Sequence, residues 1–324
     1  MGNINEGQTK LTLFITIDTE DGYFDKPYLI TGEGIEQEPG IAKIMTILEK
    51  YRVKGNFFVN VYEHIHYRPH VLADIVQSIF QRGHAVELHS HADPALDFYQ
   101  HAIYNYSLKD QMKILGYGVD LLQQWIGVKP VAYRGGSYEF NEDTLYALYK
   151  LGIPVDSSRW YKNENNKLQM DFTINRVTPY MNTLEVPVTY VQCLDRKGHY
   201  TPSKFDLDWL SYDELTHVIE LAKTFHLKTL TLFMHSFSLI RKKRKSAADQ
   251  PNHAALYRSH LVANRYTEIY GLHVENIKKL ERLLQYISKD PMIEVPTFKE
   301  WYKKKEESPK DIGADFIPVI DRLF

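Results

Sequence analysis

Short apolar segments typical of strands alternate with longer segments typical of helices along most of the 324 residues. The predicted helices begin and end at residues that favour those positions, as with Pro69 at the start and Gly83 just after the end of the helix predicted over 69–82. Ser211, followed three residues later by Glu214, has the pattern of a capping box. About seven or eight such repeats predict an α/β fold, in which a parallel sheet closes, or nearly closes, into a distorted (β/α)7-8 barrel.

No linker-like stretch divides the chain, so we predict one domain over residues 1–324. Its core is expected to extend from about residue 11 to 302, with a C-terminal tail at 303–324. A basic loop is predicted at 241–251, where five consecutive basic residues begin at Arg241.

Composition restricts the classes of function. The net charge of −2 provides no global attraction to nucleic acid. A single cysteine, Cys193, rules out an internal disulfide and a zinc–thiolate cluster. The first residues lack the apolar core of a signal peptide, and no apolar run is long enough for a transmembrane segment, so a cytoplasmic protein is expected.

Polar side chains follow the predicted strands at their carboxyl ends, where folds of this class place their active sites. The densest group is ThrIleAspThrGluAspGly at 16–22, with three carboxylates within four residues. Because like charges oppose each other's ionisation, this run indicates a metal site, an acid–base site or both, although a solvated turn has a similar composition. The complete set of candidates is Asp18, Glu20, Asp21, His89, His91, Asp93, Arg134, Tyr138, Asp156, Trp160 and His235.

Each candidate also has a purely structural interpretation, such as a buried ion pair or a turn. Their occurrence in order, one group at each strand end, is harder to explain in that way. A site of carboxylates and imidazoles for a metal, with a base, an acid and an arginine, is what hydrolysis of an acyl group requires.

Five motifs, in order, resemble those of the polysaccharide deacetylase family, also called the NodB-homology or carbohydrate esterase 4 family, over roughly residues 11–295. The first is the run at 16–22, and the second lies in GlyHisAlaValGluLeuHisSerHisAlaAspProAlaLeu at 83–96. The third and fourth are similar to TyrArgGlyGlySerTyr at 133–138 and AspSerSerArgTrp at 156–160, and the fifth to ThrLeuPheMetHisSer at 231–236. The resemblance implies a NodB-like barrel and a metal-dependent hydrolase.

The first motif is longer than the family pattern by two residues, so the roles within it depend on which end is aligned. Alignment of the strand side makes Asp18 the catalytic base, which we favour, and Asp21 the metal ligand. Alignment of the AspGly side makes Glu20 the base and leaves Asp21 as the ligand.

The second motif implies His89 as a metal ligand, and the third ligand is then either Asp93 or His91. The implied cofactor is a divalent metal ion, with zinc favoured and cobalt, nickel or manganese also compatible. A ligand set that contains Asp93 would be richer in oxygen and would shift the metal preference away from zinc. In the third motif Gly135 or Gly136 replaces the family's proline, which leaves the backbone freer to approach a substrate.

The resemblance also implies roles for the remaining candidates. His235 would protonate the leaving group, Arg134 would orient the base, and Asp156 would tune His235. Tyr138 and Trp160 would bind the substrate, with Trp160 as a wall of the acetyl pocket. Backbone N–H groups near 136–138 would stabilise the oxyanion.

The predicted function is removal of an acetyl group from an N- or O-acetylated sugar, in cytoplasmic synthesis of a surface polysaccharide. An acetylated carbohydrate is therefore the expected partner, and no nucleic acid is expected. Two alternatives are an amidohydrolase of the same fold that acts on a non-sugar amide or cyclic ureide, and a non-catalytic carbohydrate-binding protein.

Overall fold

A large parallel sheet forms the centre of the protein. The computed structural model describes residues 10–21, 26–68, 70–91, 102–168, 174–180, 182–243, 269–307 and 316–322. The strands of these segments are β1 (Leu11–Thr19), β2 (Asn56–Asn60), β3 (Ala85–Ser90), β4 (Ala132–Gly135), β5 (Val155–Asp156), β6 (Thr178–Tyr180), β7 (Thr183–Glu185), β8 (Tyr190–Leu194), β9 (Tyr200–Lys204), β10 (Thr229–His235), β11 (Ile240–Lys243), β12 (Ile269–Leu272), β13 (Ile293–Glu294) and β14 (Val319–Asp321).

Helices connect most of these strands and cover the outer face of the sheet. They are α1 (Tyr28–Thr31), α2 (Ile41–Lys50), α3 (Val71–Gln81), α4 (Leu108–Ile126), α5 (Glu142–Leu151), α6 (Tyr212–Thr224), α7 (Val274–Lys289) and α8 (Phe298–Glu307). The capping box predicted for Ser211 and Glu214 is present at the start of α6.

The central sheet has the order β10-β1-β2-β3-β4-β5-β7-β6, and β13 pairs with the first residues of β1. All pairs in it are parallel except β6 with β7. The predicted α/β class with a distorted barrel is confirmed, and the register explains where the polar candidates meet. Asp18 pairs with His235 across β1 and β10, and His89 pairs with Arg134 across β3 and β4.

The inner face of the sheet is filled at its amino-terminal end by aromatic side chains. Phe14 stacks on Phe298 of α8 at 4.3 Å between ring centroids, and Trp301 contacts Phe14 edge-on at 5.5 Å. The backbone N–H of Phe298 donates to Asn56 at the start of β2, which places α8 at that end. The polar residues at the carboxyl ends of the strands therefore lie above a layer of packed apolar side chains.

Part of the predicted C-terminal tail is structured, because β14 pairs in parallel with β8 and α8 extends to Glu307. Of the predicted basic loop, residues 244–251 lie outside the described residues. Within the described part of the chain, no helix combines the length and apolar character needed to cross a membrane.

Candidate active site

Glu20, His89 and His91 converge at the carboxyl ends of β1 and β3. Oε2 of Glu20 lies 2.8 Å from Nε2 of His91 and 3.4 Å from Nε2 of His89. One ligand atom from each of the three residues lies within 4.8 Å of the other two. Two imidazoles and one carboxylate form a ligand set suited to a catalytic zinc ion or a similar divalent metal.

The ring of His89 is oriented for metal binding. Its Nδ1 donates to the carbonyl oxygen of Arg134 at 2.8 Å, so that nitrogen carries the proton. Its Nε2 is buried and has no hydrogen-bond partner among the described residues. In metal-binding histidines one ring nitrogen usually donates to a backbone carbonyl or a carboxylate, and the other nitrogen binds the metal.

The charges around Glu20 favour a cation. Burial lowers the pKa of His89, but the carboxylates of Asp18 and Glu20 more than offset this, and the net effect raises it. His91 shows the same balance of burial against Glu20, and its pKa is also raised. Burial raises the pKa of Glu20, yet the two imidazoles hold it well below its usual value. A metal ion would supply the positive charge that this group of side chains stabilises.

Asp21 points into a different group of side chains. Its Oδ2 accepts a 2.7 Å hydrogen bond from the backbone N–H of Lys26, and its own N–H donates to both oxygens of Glu63. Burial and the charge of Asp21 raise the pKa of Glu63 to about 8. The metal role of Asp21 stays a prediction, but the geometry presents Glu20 to the histidines. Asp93 lies outside the described residues.

Asp18 forms a buried ion pair with Arg134, which the sequence predicted to orient the base. Nη1 of Arg134 lies 2.7 Å from Oδ1 of Asp18, and Nε donates to the carbonyl oxygen of Ser157 at 3.0 Å. The guanidinium carbon lies 4.3 Å from the ring centroid of Phe58. The Asp18 carboxylate is therefore held in a fixed position by Arg134.

His235 lies on the other side of Glu20, at 3.9 Å between its Nε2 and Oε1 of the carboxylate. About a quarter (26%) of its side chain is exposed, and its ring stacks on Phe237 at 4.7 Å. The imidazole is thus accessible from solvent and is adjacent to Glu20.

Asp156, predicted to tune His235, contacts a different carboxyl group. Its Oδ1 accepts a 2.5 Å hydrogen bond from Ser158, and Asp156 pairs in register with Glu185 of β7. Oδ2 of Asp156 and Oε2 of Glu185 are buried without a hydrogen-bond partner among the described residues. Burial raises the pKa of Asp156 and raises that of Glu185 still further. Two buried carboxyl groups this close oppose each other's ionisation. Sequence reasoning missed Glu185, since nothing in the short β7 segment indicates a buried acid.

The two glycines of the third motif allow close approach of the backbone. A Cβ atom on Gly136 would lie 2.4 Å from Nδ1 of His91, and one on Gly135 would lie 2.1 Å from the carbonyl oxygen of Glu139. The next two residues, Ser137 and Tyr138, have positive φ values of 53° and 65°. This conformation is uncommon for residues other than glycine and is typical of functional turns.

Aromatic rings extend from the site toward the surface. Tyr138 lies 5.5 Å from Trp160, which lies 6.2 Å from Trp209, half of which is exposed. The indole Nε1 of Trp160 is buried without a hydrogen-bond partner among the described residues. Lys204 lies over the rings of Phe233 and Trp209, at 4.0 and 4.3 Å. Lys204 and Trp209 were not predicted from the sequence.

Comparison with known proteins supports the family predicted from the motifs. The family model described as polysaccharide deacetylase matches residues 8–155. Comparison with curated protein sequences gives no match.

Two solved structures share the fold over nearly the whole chain. A protein described as a polysaccharide deacetylase from Mycobacterium smegmatis has a TM-score of 0.58 and 16% identity, and the match covers 97% of this chain and 96% of the other. Puue allantoinase has a TM-score of 0.56 and 10% identity, with coverage of 94% and 92%. At these identities the likeness concerns the fold. The family match confirms, over residues 8–155, the predicted resemblance to the polysaccharide deacetylase family.

Proposed function

We propose, from the membership of residues 8–155 in the polysaccharide deacetylase family, that the protein is a divalent-metal-dependent deacetylase of an N- or O-acetylated carbohydrate. The observation that carries the proposal is the convergence of Glu20, His89 and His91, with the buried Nε2 of His89 left without a hydrogen-bond partner among the described residues.

The residues present fit a metal ion. A buried nitrogen lone pair facing a carboxylate is costly unless it is occupied by a proton or by an ion. When bound, the metal would polarise the acetyl carbonyl and lower the pKa of a water molecule. Glu20, His89 and His91 would hold it.

Asp18 is the residue best placed to serve as general base. It lies close enough to His89 for its negative charge to raise the pKa of that imidazole. Its ion pair with Arg134 orients it, and it is only 4% exposed, so its geometry is set before a substrate arrives. Asp18 would accept the proton of the attacking water.

His235 would act as the general acid. It lies across Glu20 from the other two histidines and is reached from solvent, so it can regain its proton between turnovers. It would give that proton to the amine or alkoxide that leaves when the acetyl group departs.

The aromatic side chains of Tyr138, Trp160 and Trp209 support a sugar as the substrate. Rings such as those of Trp160 and Trp209 offer apolar faces that pack on sugar rings, while an indole N–H can donate a hydrogen bond. The partnerless Nε1 of Trp160 would find an acceptor on a bound substrate.

The test is acetate release from acetylated oligosaccharides, with and without a chelator and after return of metal. We expect activity that is lost on chelation, restored by a divalent ion, and strongly reduced in His235→Ala. Allantoin serves as a second substrate, because it represents the cyclic-ureide alternative. Turnover of allantoin without acetate release, or acetate release that is unaffected by chelation and by His235→Ala, would contradict the proposal.

A further inference from the structure

A cavity lies near the amino-terminal ends of β2, β3 and β4, whereas the candidate active site lies at the carboxyl ends of the strands. It has a volume of about 340 Å³, and its lining comes from residues before β2 and β4, the first half of β3, the end of α3 and the first turns of α8. A cavity of this size can hold a small organic ligand. The proposed hydrolytic site lies at the carboxyl ends of these strands and makes no use of it.

Four lysines line the cavity, namely Lys54, Lys129, Lys299 and Lys303. Lys54 is paired with Glu300 at 2.7 Å. Among the described residues, the other three lysines form no ion pair with a carboxylate. Three positive charges on one rim therefore lack a local counter-charge, which favours a ligand with more than one negative charge.

Glu87 lines this cavity and is 1% exposed. Its Oε2 accepts hydrogen bonds from the backbone N–H groups of Val131 and Ala132, at 2.8 and 2.7 Å. Its Oε1 has no hydrogen-bond partner within the described part of the chain. Burial raises the pKa of Glu87 to about 8, although those two bonds and the charge of Lys299 oppose the rise. At neutral pH the side chain is therefore a neutral carboxylic acid that can donate from Oε1.

The remaining lining is apolar. Phe80, which is 40% exposed, lies on the wall together with Val86 and Val128. An apolar surface beside a cationic rim matches a ligand that has both an organic part and an anionic group.

We propose that this cavity binds a small organic phosphate. Its phosphate would lie among Lys129, Lys299 and Lys303 and accept a hydrogen bond from Glu87, while its organic part would pack on Phe80. Phosphate suits this rim better than a single carboxylate, because it carries up to two charges and offers several acceptor oxygens to lysine.

Calorimetric titration of the full chain tests the proposal, with phenyl phosphate as the probe. Inorganic phosphate tests the charged group alone, and phenol tests the ring alone. We expect saturable binding of phenyl phosphate that weakens with salt, weaker binding of phosphate, and none of phenol. Loss of lysine contacts in Lys299→Gln/Lys303→Gln should weaken binding by roughly tenfold or more. Lys278→Gln, a change on the exposed surface of α7, is the matched control.

Two substitutions of Glu87 locate the ligand independently of the lysines. Glu87→Gln keeps one acceptor and one donor and should retain binding, whereas Glu87→Leu should lose it. Circular dichroism and thermal unfolding establish that each variant is folded. Absence of saturable binding to the wild type, or equal binding by the wild type and the double lysine variant, would overturn the proposal. Because the readout is binding, the result is independent of whether acetate is released.

Discussion

Arg134 reaches from β4 across the sheet interior to hold Asp18 of β1, with Nη1 2.7 Å from Oδ1. Arg134 is completely buried and also donates to Ser157 and Thr16. A buried guanidinium with this many partners fixes the position of the carboxylate. The pair therefore links the stability of the fold to the proposed base.

Asp18→Asn should remove the base without dissociating the metal. We expect acetate release to fall by about 10²- to 10⁴-fold, the usual contribution of general base catalysis, with metal content unchanged. Arg134→Leu should behave differently, because it leaves Asp18 as an uncompensated buried charge. That variant should lose about 3–5 kcal/mol in the free energy of unfolding, measured by urea denaturation. An unaltered rate in Asp18→Asn would show that another residue is the base.

Gly136→Ala should weaken the metal site although the residue is not a ligand. The added Cβ would meet Nδ1 of His91 at 2.4 Å, so the imidazole has to move. We expect metal affinity to fall roughly 10- to 100-fold, as when other supports of a metal-binding histidine are removed. Gly116→Ala is the control, because its Cβ would meet Leu151 at an ordinary 3.6 Å. Equal affinity in both variants would remove His91 from the ligand set.

Glu87→Gln should change how stability depends on pH. The pKa of Glu87 is about 8 in the folded protein, against an ordinary value of 4.5. Between these values the unfolded chain binds fewer protons than the folded one, so this group makes wild-type stability fall as pH rises from about 4.5 to 8. The neutral variant lacks this slope. As pH rises within that window, the free energy of unfolding of Glu87→Gln should increase relative to that of the wild type by up to about 1.4 kcal/mol per pH unit.

Denaturant unfolding at a series of pH values measures this difference. Glu33→Gln, at an exposed glutamate, is the control and should show no comparable trend. A constant difference between wild type and Glu87→Gln from pH 5 to pH 8 would mean that Glu87 is ionised in the folded protein.

Trp209→Ala should affect substrate binding more than chemistry. The ring is half exposed and lies 6.2 Å from that of Trp160, and Trp209 is not among the proposed metal ligands. Loss of one aromatic contact should raise KM roughly three- to tenfold with little change in kcat. Tyr149→Ala, at another exposed aromatic residue, should leave both constants unchanged. A fall in kcat alone would place Trp209 in the chemical step.

The sequence predicted the fold class well because alternating apolar strands and capped helices leave few topologies other than a parallel sheet. It also predicted which strand ends carry the polar residues, and the parallel register then brought Asp18, His235, His89 and Arg134 together. The sequence predicted Asp21 as the metal ligand and did not predict that Glu20 lies beside the histidines, because both residues follow β1, where the chain leaves the strand and side-chain alternation no longer holds. The partner of Asp156 was equally inaccessible, since it depends on the long-range pairing of β5 with β7.

Metal binding by Glu20→Gln and Asp21→Asn, side by side, tests the central claim most directly. Titration of the metal-free proteins with zinc gives the affinity of each. With Glu20, His89 and His91 as ligands, Glu20→Gln should bind at least about 100-fold more weakly than the wild type, while Asp21→Asn should stay within about tenfold of it. Loss of binding in Asp21→Asn with retention in Glu20→Gln would contradict the account.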